Sequence, residues 1–184
     1  MAENDTGQVR DSGHIADQLA IQDVLFKHCR GVDRADETLL KSAYWPEAEV
    51  AYGAFDGNAH EFCTMLAAGI KRYRSTHHQV SNLLVDIQGD EAVAESYVTA
   101  YHFLPGEDGA PDTEMTYFGR YVDHLQRRDG VWKMRFRRVV MDWNQNMNTT
   151  ADFSGPTLGN LARSGRKPDD PLYAMQTDVL GANN

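Results

Sequence analysis

Three groups of polar residues stand where their types and spacing could do chemistry. Asp33 lies in Gly31-Val-Asp-Arg-Ala-Asp36, at the end of a helical pattern. His77 and His78 lie in Ser75-Thr-His-His-Gln-Val-Ser-Asn82, where the apolar period changes from helix to strand. Arg135, Arg137 and Arg138 crowd the last strand-like run, which continues to Asp142-Trp143. An aspartate that meets a histidine fixes its tautomer and stabilises the imidazolium. The other ring nitrogen is then left as a general base. Each group also has a plainer use. Asp33 could cap a helix starting near Asp36. One of two adjacent histidines ordinarily faces solvent. The arginines form a solvated strand face unless one points inward, and Trp45, Trp132 and Trp143 read as core.

Other chemistries lack their usual support. The sequence contains no P-loop, GxGxxG, GxSxG or HExxH, which speaks against nucleotide, serine-hydrolase and zincin readings. Cys29 and Cys63 lie in helix-like stretches with no CxxC or Cys/His cluster. They suggest neither a disulfide framework nor a metal site, and a reducing compartment. Lys plus Arg is 18 and Asp plus Glu is 27, a net charge of −9 that repels a phosphate backbone, so nucleic acid is not an expected partner. No apolar run approaches the roughly 20 residues of a membrane helix. The acidic start, Met1-Ala-Glu-Asn-Asp, does not read as a secretory signal. The expected location is cytoplasmic, without membrane association.

An ordered domain must position the candidate groups. At 184 residues, 41% hydrophobic and 24% charged, the chain can bury a sizeable single core. Residues 1–13 are expected to be loose, 14–143 to form the domain, and 144–184 to be a tail without regular structure. A first helix from His14 carries a broad stripe of Ile15, Leu19, Ile21, Val24, Leu25, Phe26, Cys29 and Val32. A second is expected over Asp36–Tyr44, ended by Pro46. Val50–Tyr52 reads as a short strand. Asn58-Ala-His-Glu61 resembles a capping box opening a third helix to about Tyr73, burying Phe62, Met65, Leu66 and Ile70. Strands follow over Val80–Ile87, Ala92–Leu104, Thr116–Gln126 and Val131–Trp143, the last two joined through Arg128-Asp129-Gly130. Helices followed by strands indicate α+β: a curved antiparallel sheet forming a cone, with the N-terminal helices over its concave face. Such a cone encloses a pocket for a small molecule.

The motifs resemble the SnoaL-like branch of the nuclear-transport-factor-like, cystatin-like cone proteins. Among its members, the likeness is nearest to γ-hexachlorocyclohexane dehydrochlorinase, with scytalone dehydratase as a relative. It rests on Ala20-Ile-Gln-Asp23, Gly31-Val-Asp33, Tyr44-Trp-Pro-Glu-Ala-Glu49, His78-Gln-Val-Ser-Asn82 and Arg127-Arg-Asp-Gly-Val-Trp-Lys133. The resemblance implies that Asp33 and His78 take the positions of the catalytic pair. Read without gaps from Trp132, Arg137 takes the position of the arginine that assists the leaving group. Arg138 is the alternative if a bulge shifts the strand by one. Tyr52 and His102 are similar in placement to a tyrosine and a second histidine of scytalone dehydratase, and His28 sits one turn before Asp33. Two departures stand out. Val50 replaces the dehydrochlorinase pocket tryptophan, and Val32 replaces the tyrosine before the scytalone dehydratase aspartate.

The implied activity is a lyase that needs no metal or organic cofactor, acting on a small, largely apolar, cyclic or aromatic substrate. His78 would remove a proton from carbon, Asp33 would hold the imidazole, and Arg137 would stabilise the departing group. Double-bond isomerisation and polyketide ring closure begin with the same proton removal and stay open, as does a non-catalytic binding domain. Relatives of this type imply a homo-oligomer, a dimer or trimer, with the tail over the pocket mouth or a neighbouring subunit.

Overall fold

Asp11 opens α1 (Ser12–Asp33) by accepting the backbone N–H of His14 at 2.8 Å. The computed structural model describes residues 11–181, so most of the N-terminal segment expected to be loose lies outside the described residues. The helix buries Ile21, Val24, Leu25, Cys29 and Val32, whereas Ile15, Leu19 and Phe26 are exposed. The stripe read from the sequence was wider than the one face a helix can lay on a sheet. Asp36, not Asp33, caps α2 (Glu37–Ser42), accepting from Leu39 N–H at 3.0 Å. The Asp33 carboxylate is therefore free for other work.

The chain then enters β1 (Tyr44–Ala51), longer than the expected Val50–Tyr52. Pro46 lies inside this strand. It is tolerated because the pairing of β1 with its neighbour is interrupted between Tyr44 and Glu49, so no ladder N–H is missed there. A short β2 (Asp56–Asn58), unforeseen in the sequence, pairs back on β1. Asn58 caps α3 (Ala59–Gly69) by accepting from the N–H groups of His60 and Glu61. This helix buries Phe62, Cys63 and Ala67, while Met65 is exposed. One 3-10 turn, Ile70–Arg72, leads into the sheet.

Four long strands follow: β3 (Ser75–Gln88), β4 (Glu91–Leu104), β5 (Thr113–Arg128) and β6 (Val131–Asn148). β3 starts five residues earlier than expected and β6 runs five residues further. The six strands form one curved, unclosed sheet in the order β2-β1-β6-β5-β4-β3. Most neighbours are antiparallel, as expected, while β1 and β6 pair in parallel. The reason is the path: β1 leaves the edge, the chain crosses through α3 and the β3–β5 meander, and β6 returns beside β1. Register shifts at Ser81/Leu84, Phe118/Gly119 and His124/Leu125 bend the long strands. The helices cover the concave face, and Ile21, Leu25, Leu40, Tyr44, Leu125 and Met134 are fully buried between the layers.

The tail is more ordered than its weak periodicity suggested. Residues 144–148 complete β6, and α4 (Pro171–Leu180) follows later, with Asp170 as its cap and Pro171 in its first turn. Those two start signals were present in the sequence. They were missed because none of the α4 residues is buried, so no apolar stripe marks it. Among the described residues, no helix is long and apolar enough to cross a membrane.

Candidate active site

The early start of β3 settles which histidine faces α1. Successive strand residues point to opposite faces. His77 is exposed on the outer face beside Tyr101, and His78 turns inward to the end of α1. There Asp33 Oδ1 lies 2.7 Å from His78 Nδ1, and Asp33 Oδ2 accepts the His78 backbone N–H at 2.9 Å. One carboxylate thus holds both the ring and its strand. A carboxylate accepts only, so Nδ1 carries the proton and the neutral ring keeps its lone pair on Nε2. Among the described residues, Nε2 makes no hydrogen bond.

Burial raises the Asp33 carboxyl, but the hydrogen bond and charge of His78, the His78 N–H and the Thr76 hydroxyl outweigh it. The net shift is below the ordinary carboxylate value, so Asp33 stays ionised at neutral pH.

His102 stands edge-on to His78, ring centroids 5.3 Å apart. Burial, and then the nearby His78 charge, brings its imidazole down to about 4, so it is neutral at pH 7. Its Nδ1 is buried and has no hydrogen-bond partner among the described residues. His28 is buried one turn and a half before Asp33, with its Nδ1 3.1 Å from the Tyr44 hydroxyl and its Nε2 3.2 Å from the Tyr52 hydroxyl. Burial, then Arg137, then His78 hold His28 well below its ordinary value. A neutral imidazole has one donor and one acceptor, so one tyrosine donates to it and the other accepts. Burial pushes the Tyr52 phenol up to about 12 despite the opposing pull of Arg137. Tyr52 is therefore a neutral hydroxyl.

These two histidines predict a pH dependence of stability. The folded state keeps both neutral, while the unfolded chain takes up protons below about pH 6.5. Their contribution is therefore complete above pH 6.5 and is lost as pH falls toward 4. For His102, brought from the ordinary 6.5 down to about 4, the loss approaches about 3 kcal/mol. Thermal unfolding from pH 7.5 to 5 should show a falling Tm, and His102→Asn should flatten the slope. A wild-type Tm independent of pH over that interval would contradict the assignment.

Arg137 is fully buried, and its Nε and Nη2 each donate to an Asp123 carboxylate oxygen at 2.7 Å. Its guanidinium lies 3.9 Å from the centre of the Tyr121 ring. Burial opposes its charge, but Asp123 outweighs this and holds the guanidinium protonated. Its Nη1 is buried without a partner among the described residues. Strict alternation from the inward Trp132 and Met134 would bring Arg138 inside. Instead Leu125 pairs Met134 while His124 pairs Phe136, so Arg135 is an extra residue and the inward set shifts to Arg137. Arg138, expected either as a substrate contact or as the inward arginine after a bulge, is exposed and lies against Phe136 on the outside. A bulge is present, and it turns Arg138 out.

Asp123 escaped the sequence reading, although a signal existed. It occupies an inward place in the alternation Tyr121-Val-Asp-His-Leu125, where an acid needs a partner. Among the described residues, no group of three or more His, Cys, Asp or Glu side chains is placed to hold a metal ion.

The SnoaL-like domain model matches residues 13–138. The chain belongs to the SnoaL-like family. It is 26% identical over 138 residues to terrestric acid biosynthesis cluster protein E of Penicillium crustosum, covering 71% of this chain and 86% of that protein. Among solved structures it is similar to a hexachlorocyclohexane dehydrochlorinase, LinA type 2, at 25% identity and TM-score 0.66. That match covers 77% of this chain and 95% of the other. It is also similar to a provisional scytalone dehydratase from Novosphingobium aromaticivorans, at 25% identity and TM-score 0.64, over 74% and 91%. In this SnoaL-like domain, an open cleft of about 590 Å³ reaches the pair between α1 and β3. Its walls include Phe26, Cys29, His78 and Val80, His77 stands at its outer rim, and Leu172 of the tail borders it.

Proposed function

We propose that this SnoaL-like protein is a cofactor-independent lyase that removes a proton from carbon with His78. The observation that carries the reading is the 2.7 Å Asp33–His78 pair, which leaves Nε2 as the unengaged ring nitrogen. In the step, His78 Nε2 takes the proton and the C–H electron pair forms the new double bond. The adjacent carbon releases a hydroxyl or halide with its bonding pair. The Asp33 charge stabilises the imidazolium, and Arg137 Nη1, aided by the neutral Tyr52 hydroxyl, receives the developing negative charge. The similar solved structures, named as a dehydrochlorinase and a dehydratase, support elimination over isomerisation or ring closure.

Val98, Ala100 and Tyr121 form a buried apolar cluster, with Tyr52, Val80, Tyr117 and Val139 packed against it. A largely apolar ring compound with one group to lose fits such surroundings. Thermal shift against a panel of small hydroxylated and halogenated ring compounds should find binders that raise Tm. A preference for charged sugar phosphates would contradict the reading.

The protein is also proposed to act as a dimer or trimer through the outer face of its sheet, with the tail bordering the cleft. That face exposes Tyr97, Tyr101 and Trp143, the last stacked on Phe118 at 4.1 Å. Light scattering at micromolar concentration should give a multiple of the 20.7 kDa chain mass, and a monomer would end this part of the proposal.

A further inference from the structure

The buried Tyr44 sets the direction of a hydrogen-bond chain that runs through His28 to Tyr52. Tyr44 opens β1 with no exposed surface, and among the described residues its hydroxyl bonds only His28 Nδ1, at 3.1 Å. Across the ring, His28 Nε2 lies 3.2 Å from the hydroxyl of the half-buried Tyr52. His28 is itself buried, and burial keeps it neutral. Two arrangements are open to a neutral ring. If Nδ1 carried the proton, Tyr44 would accept it, and the Tyr44 O–H would point into the core with no acceptor among the described residues. If Nε2 carries the proton, Tyr44 donates to Nδ1, and only a lone pair on the Tyr44 oxygen goes unused. A buried donor without an acceptor costs more than a spare lone pair on an oxygen that already bonds. The second arrangement is therefore the one adopted. Tyr44 O–H donates to Nδ1, and Nε2–H donates to the Tyr52 oxygen.

This chain leaves the Tyr52 proton unclaimed, because a hydroxyl that accepts from the ring has its own O–H free. Tyr52 directly follows β1, in which Val50 pairs with Arg137 of β6. It packs on the cluster that contains Tyr121, whose ring carries the Arg137 guanidinium at 3.9 Å and meets His28 edge-on at 5.9 Å. Arg137 Nη1 is a second donor without a partner among the described residues. We infer that His28 is a positioning residue, its tautomer set by Tyr44, that holds the Tyr52 oxygen from behind and turns the Tyr52 proton toward the leaving group that Arg137 serves. This rests on the reading of Tyr52 and Arg137 as the groups that receive the developing charge. In the opposite arrangement Tyr52 would donate to the ring and present only lone pairs to a departing anion, which would repel it. His28 transfers no proton in this role. It stays neutral and fixes which way one O–H points.

The first test needs no substrate. In the full chain labelled with ¹⁵N-histidine, the His28 ring nitrogens are assigned by their loss in His28→Leu or, should that variant not fold, in His28→Gln. At neutral pH the parent protein should show a protonated Nε2 and an unprotonated Nδ1. Tyr44→Phe should move the Nδ1 resonance downfield, as a lone pair that has lost its donor, and leave Nε2 protonated. A proton on Nδ1 in the parent protein overturns the inference, as does an Nδ1 resonance unmoved by Tyr44→Phe. The second test uses a substrate from the ring-compound panel. His28→Leu should lower kcat by about 10–100-fold with little change in KM, the worth of one hydrogen bond to a developing charge. In a Tyr52→Phe background the same substitution should cost no further rate, because His28 acts only through the Tyr52 hydroxyl. An equal loss in both backgrounds marks a structural role and overturns the inference. Parent-rate turnover by Tyr52→Phe alone would instead remove Tyr52 from the leaving-group step of the proposed reaction and leave the bonding chain standing.

Discussion

His78→Ala is expected to abolish turnover while leaving the fold intact, because it removes the one base whose free nitrogen Asp33 has prepared. Asp33→Asn is expected to lower the rate by ~10²–10⁴, the scale of general-base catalysis and of tautomer loss in acid–base triads. The amide keeps much of the shape, but it carries no charge to stabilise an imidazolium. It can also present its NH₂ to Nδ1, which would move the ring proton to Nε2 and block the base. His77→Ala should turn over near the parent rate, since its ring stands at the outer rim of the cleft beside Tyr101 and Asp33 bonds His78 instead. Steady-state kinetics on a substrate found in the ring-compound panel, with circular dichroism as the folding control, decides the matter. Parent-rate turnover by both His78→Ala and Asp33→Asn would end the proposal.

The Asp33–His78 contact is legible in the sequence because two signals agree. The residue types suit an acid–base pair, and their motifs resemble the family at matching spacing. What could not be read was the face on which each side chain sits. His77 and His78 differ only by the strand's two-residue period, and the start of β3 at Ser75 fixes the phase. The choice between Arg137 and Arg138 depended on a bulge at Arg135, set by pairing with β5 and invisible in β6 alone. The parallel pairing of β1 and β6 joins segments some ninety residues apart, and no local pattern encodes such a contact. The tail was opaque for another reason. Its attachment runs through Arg166, Lys167 and Asp170, so charge and hydrogen bonds hold it where periodicity has nothing to report.

The buried Arg137–Asp123 pair gives the largest stability prediction. Both side chains are entirely inaccessible, and two parallel N–H···O bonds of 2.7 Å join them. Asp123→Ala leaves a guanidinium without its counter-charge among Tyr44, Tyr52 and Tyr121, and should cost about 3–5 kcal/mol. For a domain of this size each kcal/mol is worth roughly 2–4 °C, so Tm should fall by roughly 6–20 °C. The pair need not be a net source of stability, since desolvating two charges offsets much of their attraction. The double replacement Arg137→Met with Asp123→Leu should therefore recover most of the loss, as measured by thermal and urea unfolding. If the pair existed only for stability, that recovered protein would also recover activity. Arg137 Nη1, however, is a buried donor with no partner among the described residues, and it is the group proposed to face the leaving atom. A double variant that folds near parent stability but does not turn over substrate would show that the ion pair is kept to hold a donor in place. Equal recovery of stability and turnover would remove Arg137 from the chemistry.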